Sequence, residues 1–218
     1  MQMHIIKKKR IKNHIHTDHT LIINEIEKSI KFYNWDFILS SLPSGSYLVG
    51  GYIRDLILGR LNSLIDVDII VPKNAIKVGK KIADKFQGKF IILDDEREVI
   101  RIIFKHISID IASQISTSIT TDLFSRDFSI NAIAFSFEKK FLIDPSNGIK
   151  DLQLSLLRTN SKQNLLDDPL RILRCFRFVS ELNFNVDVNL INFIKIYKNQ
   201  LSIIANERIN FEIKRIIR

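Results

Sequence analysis

Residues 47–72, YLVGGYIRDLILGRLNSLIDVDIIVP, leave a chain few ways to fold. A short apolar strand, Tyr47–Val49, runs into the glycine pair Gly50 and Gly51. A helix then opens on Tyr52, Ile53, Arg54 and Asp55 and ends near Gly59. A second strand carries Asp66 and Asp68 ahead of the apolar run 69–71. Two glycines let the backbone approach a ligand with no Cβ in the way. The helix that follows aims its free N–H groups and positive dipole end at the turn, which suits a phosphate. Arg54 adds a guanidinium able to grip phosphate bidentately. Residues two apart on a strand share a face, so Asp66 and Asp68 stand side by side. Paired carboxylates repel unless a cation lies between them, and hard oxygen ligands suit Mg²⁺. A glycine pair occurs in ordinary turns, and D-x-D occurs on solvated strand edges. Joined by Arg54 and Asp55, they point to metal-assisted phosphoryl transfer.

The rest of the chain bounds that chemistry. Its 218 residues, 45% of them hydrophobic, suit one medium domain with an appendage or two small ones. A net charge of +9, from 33 basic against 24 acidic residues, favours a polyanionic partner such as nucleic acid. Cys175 is the only cysteine, which excludes an intrachain disulfide and fits a reducing compartment. No apolar run approaches the ~20 residues of a membrane span. Residues 1–20 read as a basic arm, with Lys7, Lys8, Lys9 and Arg10 ahead of His14, His16 and His19, and lack a signal peptide's apolar segment. Abundant isoleucine, lysine and asparagine suggest codon bias from an AT-rich genome.

Helical periodicity runs over 21–42 and again over Ala75–Phe86, closed by Gly88. Strands are expected at 90–93, 99–104 and 108–112, so helices and strands alternate into an α/β layer with a mixed sheet. Asp110 lies in the last strand between Ile109 and Ile111. A carboxylate there either meets a cation or faces solvent at an edge. Residues 121–137 read TDLFSRDFSINAIAFSF. Arg126 offers a fixed cation for a phosphate, Asp127 can orient it or cap a helix, and Asn131 can hydrogen-bond a sugar hydroxyl. In 167–184, Arg171, Arg174 and Arg177 recur every third residue. They drift only about −60° per step and share one stripe, with Leu173, Phe176 and Val179 expected on the opposite, buried side.

The GG-x-x-R-D and D-x-D pair, followed by Asp122-Leu123 and Arg126-Asp127-Phe128-Ser129-Ile130-Asn131-Ala132, resembles the nucleotidyltransferases related to DNA polymerase β. In particular it resembles the class II CCA-adding tRNA nucleotidyltransferases and bacterial poly(A) polymerases. Ser129 replaces the family's threonine, and Ser113-Gln114-Ile115-Ser116 stands where relatives often carry an arginine. The resemblance spans roughly residues 45–217. It implies a polymerase β-like head (21–150) with a mixed sheet, followed by an all-helical neck (151–218) joined through a hinge or spacer at 144–148. It implies transfer of CMP or AMP from CTP or ATP to a tRNA 3′ end, with a poly(A) polymerase or a C-only or A-only enzyme as rivals. A non-enzyme rival is an RNA-binding remnant.

Asp66 and Asp68 then hold two Mg²⁺ ions for two-metal catalysis, and Asp110 is a third ligand or base. Gly50, Gly51, Arg54, Arg126, Asp127, Asn131, Arg174 and Arg177 hold phosphates, sugar or RNA backbone. Asp168 and Arg171 read the base edge, next to an Asp167 shorter by one methylene than the family's glutamate. Residues 206–213 resemble a neck-packing helix. Relatives continue through body and tail domains, so a homo-oligomer or helper chain is the expected substitute for holding tRNA. The cytoplasm, or an organelle interior such as the plastid stroma, is the expected location.

Overall fold

A computed structural model describes residues 18–61 and 63–217. The basic arm expected over 1–20 lies outside the described residues except at its end. Helix α1 (His19–Phe32) starts under Asp18, whose carboxylate accepts from the Thr20 N–H at 2.8 Å, and buries Ile22, Ile26 and Ile30. The periodicity expected to run to Leu42 breaks at Asn34, which takes a left-handed φ of +52°. Trp35 N–H then reaches back to the Ile30 carbonyl, the ending a left-handed residue permits. The Trp35 ring enters the core, and a 3₁₀ helix takes over at Asp36–Ser41.

The constraining stretch folds as its residues dictate: β1 (Tyr47–Val49), α2 (Gly51–Ile57) and β2 (Ile65–Val71). Then come α3 (Ala75–Phe86), β3 (Lys89–Asp94), β4 (Val99–Ile103), β5 (Ile107–Ser113), α4 (Ile119–Phe124), β6 (Ala134–Ser136) and β7 (Leu142–Ile143). Gln87, with φ +57°, supplies the left-handed close of α3 in place of Gly88. Gly88 is needed for packing instead, since a Cβ there would lie 2.5 Å from Ile102 Cγ2.

Seven strands form one mixed sheet in the order β3-β4-β5-β2-β1-β6-β7, with β2 and β5 parallel. Alternation along β2 sends Ile65, Val67 and Ile69 into the main core, which α3 also joins through Ile82 and Ala83. The other face of β2 carries exposed Asp66, half-buried Asp68 and Ile70. Ile70 packs with Val49, Leu123 and Ala134 in a smaller cluster.

The chain continues through α5 (Gly148–Gln153), β8 (Leu156–Leu157), α6 (Lys162–Asp167), α7 (Leu170–Leu182), β9 (Asn185–Val186), α8 (Val188–Tyr197) and α9 (Asn206–Ile216). The expected all-helical neck includes two short strands, β8 and β9, paired in parallel. The boundary expected at 150 falls within α5, and one buried cluster runs from Ile22 to Phe193. The segment expected as a hinge is a packed corner. Asp144 accepts from the Gly148 and Ile149 N–H groups at 2.6 and 2.9 Å, and a Cβ on Gly148 would stand 2.2 Å from the Ser129 carbonyl oxygen.

Helix α7 corrects another expectation, because Phe176 is 48% exposed while Ile172, Cys175, Phe178 and Leu182 are buried. The arginine stripe drifts far enough round the helix to carry Arg177 onto the packed side. There Glu212 and Glu181 meet it at 2.8 and 3.0 Å. No helix among the described residues is long and apolar enough to cross a membrane.

Candidate active site

Gly50 ends β1 at φ +76°, ψ −138°, a conformation that costs a side-chain residue dearly. A Cβ there would stand 2.9 Å from both Arg126 Nη1 and Asp68 Oδ2. The missing side chain is what lets the turn lie against an acid and a guanidinium together. Gly51 brings its backbone close to Arg54, with a Cβ position 3.3 Å from Nη2. Arg54 is locked. Its Nε and Nη2 donate to the Asp55 carboxylate at 2.9 and 2.8 Å, and its Nη1 donates to Asn131 Oδ1 at 2.6 Å.

Asn131 in turn donates from Nδ2 to Asp127 Oδ1 at 3.0 Å, and the Phe128 N–H donates to the same oxygen at 2.8 Å. The other Asp127 oxygen lies 2.6 Å from Arg174 Nη2. Burial alone would push the Asp127 carboxyl up. Arg174, Asn131, the Phe128 N–H and Arg171 together outweigh it and hold it below the usual carboxylate range. One ring ties these cations together: the Arg54, Arg174 and Arg177 guanidiniums lie 5.0, 5.9 and 4.2 Å from the Phe178 centroid.

Arg126 reaches the glycine turn from the other side of the site. Its backbone carbonyl accepts from Asn160 and Asn164 side chains at 2.9 and 2.7 Å, while its buried Nε, like that of Arg174, has no hydrogen-bond partner among the described residues. Asp68 faces this cation. Burial raises the Asp68 carboxyl above its usual range; Arg126 pulls it down, Asp110 and Asp66 raise it further, and Arg54 opposes them. Asp110 lies in register beside Asp68 across β2 and β5, and Arg101 on β4 pairs with its carboxylate at 2.7 Å.

A cavity of about 310 Å³ is lined by every residue expected to bind nucleotide except Asp168, and also by Asp68, Phe178 and Arg215. A second cavity of about 350 Å³ meets it at Gly51, Arg54, Asp68, Arg177 and Arg215, and adds Asp66, Arg60 and Leu64 among others. The expected base-reading pair is otherwise engaged. Asp168 accepts from Arg208 Nη2 at 3.1 and 3.2 Å, and Arg171 Nη1 donates to the carbonyls of Ser125 and Asn164 at 3.0 and 3.1 Å. Arg177 spends its donors on Glu212 and Glu181. Sequence reasoning missed Phe178, Arg101, Asn164 and Arg215. For Phe178 the one signal was its place directly after the arginine stripe.

Asp66 and Asp68 stand two residues apart on one face of β2. Among the described residues no three His, Cys, Asp or Glu side chains gather into a metal-binding group. A divalent ion here would complete its shell with water and substrate oxygens, which is how Mg²⁺ is commonly held.

Comparison with known proteins matches residues 46–158 to the poly A polymerase head domain, just over half of the chain. The chain is 39% identical to the CC-adding tRNA nucleotidyltransferase of Synechocystis sp. over 176 residues, covering 81% of this chain and 42% of that protein. It is 34% identical to the enzyme of the same name from Geobacter sulfurreducens over 194 residues, covering 83% and 45%. Other relatives are named A-adding. The chain therefore spans under half the length of these relatives. It also resembles the Thermotoga maritima CCA-adding enzyme complexed with tRNA, at 29% identity and a TM-score of 0.75, covering 92% of this chain and 50% of that one. With the matched segment containing the glycine turn, both strand acids and Arg126, the chain belongs to the poly A polymerase head domain family.

Proposed function

We propose that this chain transfers a nucleoside monophosphate from CTP or ATP to the 3′-hydroxyl of tRNA, with release of pyrophosphate. The observation that carries this reading is the meeting of two strand acids with a cavity walled by glycine backbone and guanidinium groups. Gly50, Gly51 and Arg126 receive the triphosphate beside the fixed Arg54. The unpartnered Arg126 Nε supports this, because a buried donor without an acceptor costs about 1–3 kcal/mol until an oxygen reaches it. Asp127 and Asn131 hold Arg174 and Arg54 in place and offer polar atoms to the sugar. Asp66 and Asp68 would hold Mg²⁺, which would supply a lowered pKa at the attacking hydroxyl and offset charge on the leaving pyrophosphate. The cavity on the Asp66 side gives room for the RNA end.

Asp168 and Arg171 choose the base. A carboxylate accepts from the exocyclic amine common to cytosine and adenine, and an arginine donates to ring acceptors. Reading the base exchanges their present contacts with Arg208, Ser125 and Asn164 for its edge. We assign catalysis to a head at 21–150 and selection to a neck at 151–218. The lone buried Cys175 fits a reducing compartment, the cytoplasm or an organelle interior.

A second reading, addition of C alone, is favoured by the names of both quoted relatives. Purified protein incubated with tRNA lacking its 3′ end, Mg²⁺ and each nucleotide singly tests both, through product length and composition. Cytidine-only extension selects the second reading, and long adenosine tracts would select a poly(A) polymerase. RNA binding without any extension would leave only a binding remnant. Asp66→Ala should abolish incorporation.

A further inference from the structure

Asp110 stands next to the proposed metal ligands, but its carboxylate is already engaged. The parallel register of β2 and β5 sets Asp110 opposite Asp68, and the antiparallel register of β4 and β5 sets Arg101 opposite Asp110. Arg101 closes a fork on it, with Nε donating to Oδ1 at 2.7 Å and Nη2 to Oδ2 at 2.8 Å. One guanidinium thus occupies both oxygens. The side chains are 40% and 24% exposed, so the pair is no buried clasp. A pair this open to water adds little to stability, about 1 kcal/mol at most. Its geometry matters more than its strength. Asp66, Asp68 and Asp110 occupy neighbouring positions on one sheet face, and without Arg101 three like charges would crowd there.

Metal chemistry supplies the reason to keep the third acid apart. Mg²⁺ demands near-octahedral coordination and binds substrate phosphates beside one or two carboxylates. A third carboxylate would take a position that substrate oxygens need, and would cancel charge that polarises them. The sheet places Asp110 where it could reach in. A bidentate fork is the contact best suited to hold a carboxylate in one orientation.

We propose that Arg101 is a positioning residue of the metal centre: it holds Asp110 in a forked ion pair, outside the coordination shell, and leaves Asp66 and Asp68 as the two protein ligands. The proposal rests on the reading that those two acids bind a divalent cation, and it gives Asp110 a role other than ligand or base.

Mn²⁺, a paramagnetic stand-in for Mg²⁺, tests it on the full chain without any turnover. Binding is read by electron paramagnetic resonance, and folding by thermal melts with and without the ion. Asp68→Asn should weaken Mn²⁺ binding about tenfold or more, whereas Asp110→Asn should change it less than about threefold. Arg101→Ala, which frees a carboxylate roughly 5 Å from the ion, should tighten binding about tenfold and enlarge the Mn²⁺-induced melting shift. Adding Asp110→Asn to Arg101→Ala should remove that gain. Arg101→Lys keeps the charge without the fork and should fall between wild type and Arg101→Ala.

The proposal is overturned if Asp110→Asn weakens binding as much as Asp68→Asn. It is also overturned if Arg101→Ala, or Arg101→Lys should the alanine variant not fold, binds Mn²⁺ as wild type does. If wild type and Asp68→Asn both fail to bind Mn²⁺, the metal reading itself fails and takes the Arg101 assignment with it.

Discussion

Gly50→Ala sets the glycine cradle against a matched control in the same turn-rich stretch. At φ +76° and ψ −138° an alanine backbone is strained by about 1–3 kcal/mol. For a protein of this size that corresponds to a melting point lowered by about 2–12 °C. The new methyl also arrives 2.9 Å from Arg126 Nη1 and Asp68 Oδ2 and must push both aside by several tenths of an ångström. A misplacement approaching 1 Å at reacting groups can cost about 100-fold in rate. Gly59 also has a positive φ, +62°, but a Cβ there meets nothing within 4 Å. Gly59→Ala therefore bears backbone strain alone, about 1–2 kcal/mol.

Single-nucleotide incorporation, measured well below both melting points, separates the two terms. Gly50→Ala should lose about 100-fold in kcat/KM while Gly59→Ala stays within about threefold of wild type. Equal losses in both variants, or a folded Gly50→Ala protein of undiminished activity, would refute the claim that this turn is shaped by close approach to Asp68 and Arg126.

Three further outcomes follow from groups around the site. Asp127 titrates below the ordinary carboxylate range when folded, so its contribution is complete above its unfolded value of about 3.9 and disappears as pH falls through the depressed folded value. Acid melts should show Asp127→Asn losing less stability than wild type below about pH 4, and parallel curves there would count against the Arg174 pairing. Glu212→Ala strands a guanidinium that is only 6% exposed, at a cost approaching the about 3–5 kcal/mol of a broken buried pair, reduced by what Glu181 retains; urea titration against Glu212→Gln, which keeps an acceptor, measures it. Burial pushes the Cys175 thiol up to about 12, so a thiol reagent at pH 8 should label it only after unfolding, and rapid native labelling would contradict its placement.

Much of this was legible because its causes are local. A strand, two glycines and acids two residues apart prescribe their own geometry, and β1, α2 and β2 appear where the residues call for them. The pocket lining was legible through Arg54 and Arg126 for the same reason. What stayed hidden depends on partners far along the chain. Arg208 claims Asp168 from α9, and Asn164 clamps the Arg126 carbonyl from α6. Three-residue spacing showed that Arg171, Arg174 and Arg177 share a stripe. Only the fold reveals that Glu212 waits where the last of them turns inward. Arg101 gave no signal, because a lone arginine between isoleucines reads as a solvated edge until β4 is set in register with β5.

Counted from β3, the strand bearing Asp66 and Asp68 is the fourth of seven. Exposing its amides to exchange would mean parting the sheet down its middle, so this floor belongs to the slowest-opening part of the molecule. The facing wall, where α9 meets α7 through Arg177–Glu212 and Arg215–Glu181, is joined by charge contacts that can loosen without breaking a single ladder bond. On the proposed function, a nucleotide would be admitted and released by yielding of the helices, with the spacing of the two carboxylates on the central strand left unchanged.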